Sequence, residues 1–195
     1  MPTPATWITL LRLALVPVFS WLAVQYAQTW ELGSPDPLYR WAAVSCFIGA
    51  SALDGIDGWV ARRFNQHSLI GSILDPLADK TLLLTGLITL SLVEWGSGWT
   101  LPLWFLALAL SRDVIIIVGI WILYFLNRQV PIKPTWTGKV CTVTQIVAVS
   151  WVMIQPLGIR PDLSVWISAI ATVLSGLDYI RVGIRQAAYG GESST

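Results

Sequence analysis

Asp54-Gly55-Ile56-Asp57-Gly58-Trp59-Val60-Ala61-Arg62, followed after eight residues by Gly71-Ser72-Ile73-Leu74-Asp75-Pro76-Leu77-Ala78-Asp79, sets four aspartates into segments that hydropathy reads as membrane. A carboxylate at mid-bilayer costs roughly 2.5–3.5 kcal/mol on insertion scales, so four uncompensated ones would cost about 10 kcal/mol, comparable with a domain's net stability. Something must offset them, and divalent cations are the natural candidate. Asp54 and Asp57 are three residues apart and Asp75 and Asp79 four apart, so each pair lies on one face of its helix. If the two segments form an antiparallel hairpin, Asp54 comes level with Asp79 and Asp57 with Asp75. Two stacked rungs of carboxylates make a hard, all-oxygen, anionic box. It suits one or two Mg²⁺ or Mn²⁺ ions that keep positions open for phosphate oxygens, which points to phosphoryl chemistry.

The rest of the chain is consistent with that setting. Of 195 residues, 55% are hydrophobic and 12% charged, with a mean hydropathy of +0.66, which excludes an ordinary soluble domain. Six apolar segments, approximately Trp7–Tyr26, Trp41–Ala61, Leu69–Val93, Leu101–Leu126, Gly138–Leu157 and Leu163–Ile184, are each near the length that spans hydrocarbon. The expected fold is all-α and polytopic with six transmembrane helices. One membrane domain covers residues 1–189, and 190–195 form a polar tail; the active site lies at the cytoplasmic side between helices 2 and 3. Arg62, Arg63, Arg128, Lys133, Lys139, Arg181 and Arg185 fall in or beside the connections after even-numbered spans, and Arg40 and Arg160 lie toward the other side. The positive-inside rule then makes the even side cytoplasmic, with both termini on it. The first segment has no basic residue before Thr6 and carries Arg12 within its apolar stretch, so it is expected to be a span and not a cleaved leader. The twelve Trp concentrate at span ends, as an interfacial aromatic belt does. Cys46 and Cys141, isolated among apolar residues, read as small core residues and not as a disulfide or a metal site.

Gly58, Ala61 and Gly71 keep the surroundings of the aspartates small, so that a bulky ligand can approach the backbone, and Arg62 at the membrane exit can meet a phosphate. Plain helix packing is an alternative reading of the glycines, and the two are compatible. Asp-x-x-Asp-Gly-x-x-Ala-Arg-x8-Gly-x-x-x-Asp-x-x-x-Asp, read here from Asp54 to Asp79, is similar to the signature of the CDP-alcohol phosphatidyltransferases, with every fixed position present. The resemblance implies a CDP-linked lipid such as CDP-diacylglycerol, an acceptor alcohol that attacks phosphorus, release of CMP, and Mg²⁺ or Mn²⁺, two ions by family pattern. It implies Asp54, Asp57, Asp75 and Asp79 as metal ligands, Asp79 also as general base, and Gly58, Ala61, Arg62 and Gly71 around CDP. A homodimer is implied as well, and no nucleic-acid partner.

A phosphorylated acceptor requires positive charge. Arg112, inside the fourth segment, and Lys139, at the start of the fifth, are the candidates. For Arg112 the other reading is a salt bridge to Asp113 or to the acidic box, and for Lys139 an interfacial anchor. Lys80 either partners Asp79 or extends toward the interface. The start Trp7-Ile-Thr9-x-x-Arg12 and Leu74-Asp-Pro-Leu-Ala-Asp-Lys80 resemble members that use glycerol-type acceptors. Ser111-Arg-Asp113 with Lys133-Pro-Thr-Trp136 and Lys139-Val-x-Thr142-x-x-Gln145 leans slightly toward phosphatidylglycerol, and so to cardiolipin synthesis, with glycerol 3-phosphate as the alternative. Three rival readings remain at this point: an intramembrane-carboxylate cation carrier, a catalytically silent membrane scaffold, and a ligand-free polar network between helices, which four mutually repelling carboxylates disfavour.

Overall fold

A computed structural model describes residues 4–64, 69–125, 136–155 and 158–189, with side chains described outside 4–9, 54–79, 124 and 186–189. Six helices follow one another: α1 Pro4–Glu31, α2 Pro37–Phe64, α3 Leu69–Leu92, α4 Leu103–Phe125, α5 Trp136–Ile154 and α6 Asp162–Tyr189. They track the six apolar segments, and no strand occurs among the described residues. Four of them, α1, α4, α5 and α6, hold stretches long and apolar enough to cross a membrane, and Lys80–Leu92 of α3 is a shorter apolar run. The protein is therefore an all-helical integral membrane protein. Its outward side chains agree: Val114, Ile117, Val118, Trp121 and Ile122 of α4 are all exposed, an apolar surface suited to lipid and not to water.

The chain divides into two compact units. The first comprises Met1–Leu101 with Val149–Pro161 and the second Pro102–Ala148 with Asp162–Thr195, so α5 contributes to both. In the first unit α1 packs on α2 and α3, and α2 packs on α3. The buried stripe of α1, Arg12, Val16, Phe19, Ala23 and Tyr26, repeats at three- and four-residue intervals, as one helix face must. Ala43 and Ala50 of α2 are fully buried small residues, and Gly86 of α3 stands where a side chain would collide with Phe47 of α2, so the backbones can approach.

The ends of the helices in this unit are tied by side chains. Asp36 caps α2, its Oδ1 accepting the Leu38 amide at 2.8 Å, with Pro37 at the first helical position, where a missing N–H costs nothing. At the far end of α5, Arg40 donates from Nε to the Met153 carbonyl at 3.1 Å and from Nη2 to the Ile154 carbonyl, and Trp95 Nε1 donates to Met153 at 3.1 Å. These cations and donors satisfy carbonyls that a helix C-terminus leaves without intrahelical partners. Gln155 stops α5 in the left-handed region at φ 52°, where a non-glycine residue is strained, and its side chain is held by donating to the Trp95 carbonyl at 2.9 Å. The connections after α1, α3 and α5 thus supply Asp36, Trp95 and Gln155 to the tied helix ends of this one unit, and the Tyr26 and Trp95 rings meet at 4.6 Å.

In the second unit α4 packs on α6. A line of small polar groups runs down α6, with Ser168, Thr172 and Ser175 all fully buried. Thr172 receives Gln145 Nε2 at 3.2 Å and lies 3.4 Å from Cys141 Sγ, so α5 meets α6 along that line. Cys46 and Cys141 are both free thiols; Cys141 is a buried core residue as its sequence context predicts, whereas Cys46 is only half-buried.

Candidate active site

The acidic motif lies on the last part of α2 and the first part of α3, wholly within the first unit. The side chains of Asp54, Asp57, Gly58, Ala61, Arg62, Gly71, Asp75 and Asp79 lie outside the described residues, so their contacts are not described; their helix positions are. One contact fixes the register of the two helices. A Cβ built on Gly86 would stand 2.9 Å from Cε2 of Phe47, whose side chain is fully buried. Phe47 stands seventeen residues before Phe64, and Gly86 stands seventeen after Leu69. The helices therefore run antiparallel and in step from their connection.

Seven residues toward the connection from Phe47 is Asp54, and seven from Gly86 is Asp79. Seven residues are within about 20° of two full turns, so both aspartates return to the faces that meet at Phe47 and Gly86. Asp57 and Asp75 follow one turn nearer the connection, at seven and six residues from the helix ends. The two-rung arrangement expected from spacing thus has a backbone register that permits it. Among the described side chains no group of three or more His, Cys, Asp or Glu gathers elsewhere. The donor chemistry of the motif, four carboxylates on two helices in step, suits a hard divalent cation.

The two acceptor candidates lie in the second unit. Arg112, on α4 and 9% exposed, donates from Nη1 to Asp113 Oδ1 at 2.8 Å and from Nη2 to Ser175 Oγ at 2.9 Å, and its guanidinium carbon sits 5.4 Å from the centre of the Tyr179 ring. The ion pair with Asp113 is one of the two arrangements the sequence left open. Among the described residues the Nε of Arg112 has no hydrogen-bond partner. Gly176 leaves room for the arginine stem, whose Cγ is 3.8 Å from where a Cβ would be. Lys139 is exposed in the first turn of α5, which Thr137 ties to α6 by donating to Asp178 Oδ2 at 2.7 Å. Ser175, Tyr179 and Asp178 were not among the residues singled out from sequence. The available signal was the polar run Ser168, Thr172, Ser175, Tyr179 at intervals of four, three and four along an otherwise apolar helix.

Residues 3–177 match the CDP-alcohol phosphatidyltransferase family. The chain belongs to that family. It is similar to the CDP-diacylglycerol–glycerol-3-phosphate 3-phosphatidyltransferase of Bacillus subtilis (strain 168), 32% identical over 88% of this chain and 90% of the relative. The Escherichia coli (strain K12) protein of the same description is 31% identical, over 90% and 91% of the two chains. A probable phosphatidylglycerophosphate synthase of Mycobacterium tuberculosis (strain ATCC 25618 / H37Rv) is 32% identical, over 93% and 81%. This CDP-alcohol phosphatidyltransferase is thus a membrane-embedded transferase of phospholipid biosynthesis. The names of these relatives favour glycerol 3-phosphate over the phosphatidylglycerol toward which Ser111–Asp113 leaned. That lean rested on short motifs, Ser111–Asp113 with Lys133–Trp136 and Lys139–Gln145, and the contacts of Arg112 with Asp113, Ser175 and Tyr179 within its own unit carry no acceptor identity.

Proposed function

We propose that the protein transfers the phosphatidyl group of CDP-diacylglycerol to the primary hydroxyl of glycerol 3-phosphate. The acceptor oxygen forms a bond to the phosphorus on the diacylglycerol side, the bond from that phosphorus to CMP breaks, and CMP leaves with the electron pair. The observation that carries this reading is the intact acidic motif on two helices in step, in a chain whose relatives are named for that acceptor. Asp54, Asp57, Asp75 and Asp79 would hold one or two Mg²⁺ or Mn²⁺ ions, which when bound supply neutralisation of the diphosphate and of the departing phosphate. Asp79 accepts the proton of the attacking hydroxyl. Gly58, Ala61 and Gly71 leave space for the cytidine, and Arg62 meets a phosphate oxygen. Arg112 and Lys139 receive the acceptor's phosphate, which calls for fixed cations.

All six helices cross the bilayer in this reading, with the motif opening to the cytoplasm and both termini on that side. Support comes from Arg40, Trp95 and Gln155, which tie helix ends beside odd-numbered connections, and from the basic residues of the even-numbered ones. The active form is a homodimer.

The test is an acceptor panel on purified protein with CDP-diacylglycerol and Mg²⁺ or Mn²⁺, following CMP release. Release with glycerol 3-phosphate and none with phosphatidylglycerol is the expected result; release with phosphatidylglycerol alone would return the assignment to cardiolipin synthesis. Asp57→Asn and Asp79→Asn should each abolish release while the protein still inserts and remains monodisperse. Normal turnover in either would sink the reading.

A further inference from the structure

Arg12 is the one arginine of α1, and it is fully buried, although its neighbours Leu10, Leu11 and Leu13 are exposed. Nothing in the reaction as described uses it. A guanidinium keeps its charge in proteins, so a buried one in an apolar helix requires acceptors or negative charge close by.

The packing of the first unit gives the helix positions that share the level of Arg12. Phe19 of α1 and Phe47 of α2 meet ring to ring at 5.3 Å, and Phe47 in turn abuts Gly86 of α3. These three residues form one layer across three helices. Beside that layer Cys46 Sγ, 3.5 Å from the Leu15 carbonyl, ties α2 to α1. Seven residues from each member of the layer, toward the start of α1, the end of α2 and the start of α3, stand Arg12, Asp54 and Asp79. Each step is nearly two turns and about 10 Å along its helix, so each residue returns to the face its layer-mate presents. Helical side chains also lean toward the helix N-terminus, which carries the Arg12 head further in the direction of the motif.

We propose that Arg12 is a positioning residue, the standing counter-charge that holds Asp54 and Asp79, the inner rung of the acidic box, before any cation or nucleotide arrives. The proposal rests on reading that box as the active site. In the absence of cations four carboxylates in an apolar setting repel one another, and a fixed guanidinium on α1 neutralises part of that charge and orients two of its oxygens.

The experiment is a double-mutant cycle on the full-length protein in detergent, unfolding followed by tryptophan fluorescence in EDTA and in MnCl₂. Arg12→Met removes the charge and keeps the bulk. In EDTA it should lower Tm by on the order of 10 °C, the size expected for breaking a buried pair in a chain of this length. Adding Asp54→Asn to Arg12→Met should recover at least half of that loss, whereas Asp54→Asn alone should lower Tm. Arg12→Lys should fall between wild type and Arg12→Met. Additive losses in the cycle would overturn the proposal, because an arginine that only packs between helices gains nothing from removal of a carboxylate. If Arg12→Met does not fold, recovery of a folded protein in the double variant supports the pairing and failure to recover it overturns it. Stabilisation of the wild type by Mn²⁺ over EDTA tests the cation site separately. Its absence would count against that reading while leaving the EDTA cycle to decide the role of Arg12.

Discussion

Phe47 fills the space beside Gly86: a methyl group on Gly86 would sit 2.9 Å from Phe47 Cε2 and 3.3 Å from Val149 Cγ1. The ring is fully buried and has nowhere to swing. Gly86→Ala should therefore cost about 1–3 kcal/mol by overpacking. It should also shift the backbone register of α2 against α3, so CMP release should fall by more than the loss of folded protein explains. Thermal unfolding and activity per folded molecule, measured on the same sample, check this; an unchanged specific activity would mean that the helices give locally and the motif does not feel it.

Arg40 gives the second prediction. It donates to two carbonyls at the end of α5, while Trp95 shares one of them. Arg40→Met should destabilise by about 1–3 kcal/mol through carbonyls left without donors, and Trp95→Phe by less, since Arg40 remains on the Met153 carbonyl. Both should leave the apparent KM for CDP-diacylglycerol unchanged in the protein that stays folded. Denaturation in a detergent series with steady-state kinetics would show it.

How much of this was legible in the residues follows from which signals were local. The helices and the acidic motif could be placed because apolar runs and i, i+3, i+4 spacing are properties of neighbouring residues. The in-step pairing of α2 and α3 was expected from the spacing that brings Asp54 level with Asp79 and Asp57 with Asp75 in an antiparallel hairpin, and the Phe47–Gly86 contact supplies a register consistent with it. What spacing could not supply was depth on a third helix. Arg12 reads from sequence as a charge inside a span and as part of Trp7-Ile-Thr9-x-x-Arg12, because nothing in α1 alone says which neighbour its buried face meets. The partners of Arg112 were half legible: Asp113 is adjacent in sequence, but Ser175 lies 63 residues on and becomes a partner only through the packing of α4 on α6.

Ser175→Ala tests whether the placement of Arg112 matters to the acceptor. It removes the acceptor of Nη2, held at 2.9 Å, from a fully buried site, at a cost of about 1.5–3 kcal/mol for a charged hydrogen bond. If Arg112 meets the acceptor's phosphate, KM for glycerol 3-phosphate should rise several-fold while KM for CDP-diacylglycerol holds. A loss confined to stability would leave Arg112 as an interhelical tie.

Thr137→Val probes the start of α5. Its hydroxyl donates to Asp178 at 2.7 Å, two residues before Lys139. Loss of that bond should cost about 1–3 kcal/mol and loosen the first turn. Acceptor KM should rise, and Thr137→Ser should restore it. Equal kinetics in both variants would separate Lys139 from the acceptor site.

The unit that holds the acidic motif is not one continuous stretch of chain. Its second piece begins at Val149, and Arg40 reaches across 113 residues to close on it. During synthesis, then, the motif is complete long before the helix end that clamps its unit has left the ribosome. The first three helices must wait with Arg40 and Trp95 not yet bonded to the carbonyls at the end of α5. A chain stopped ahead of Val149 would carry every residue of the signature and still lack its closure.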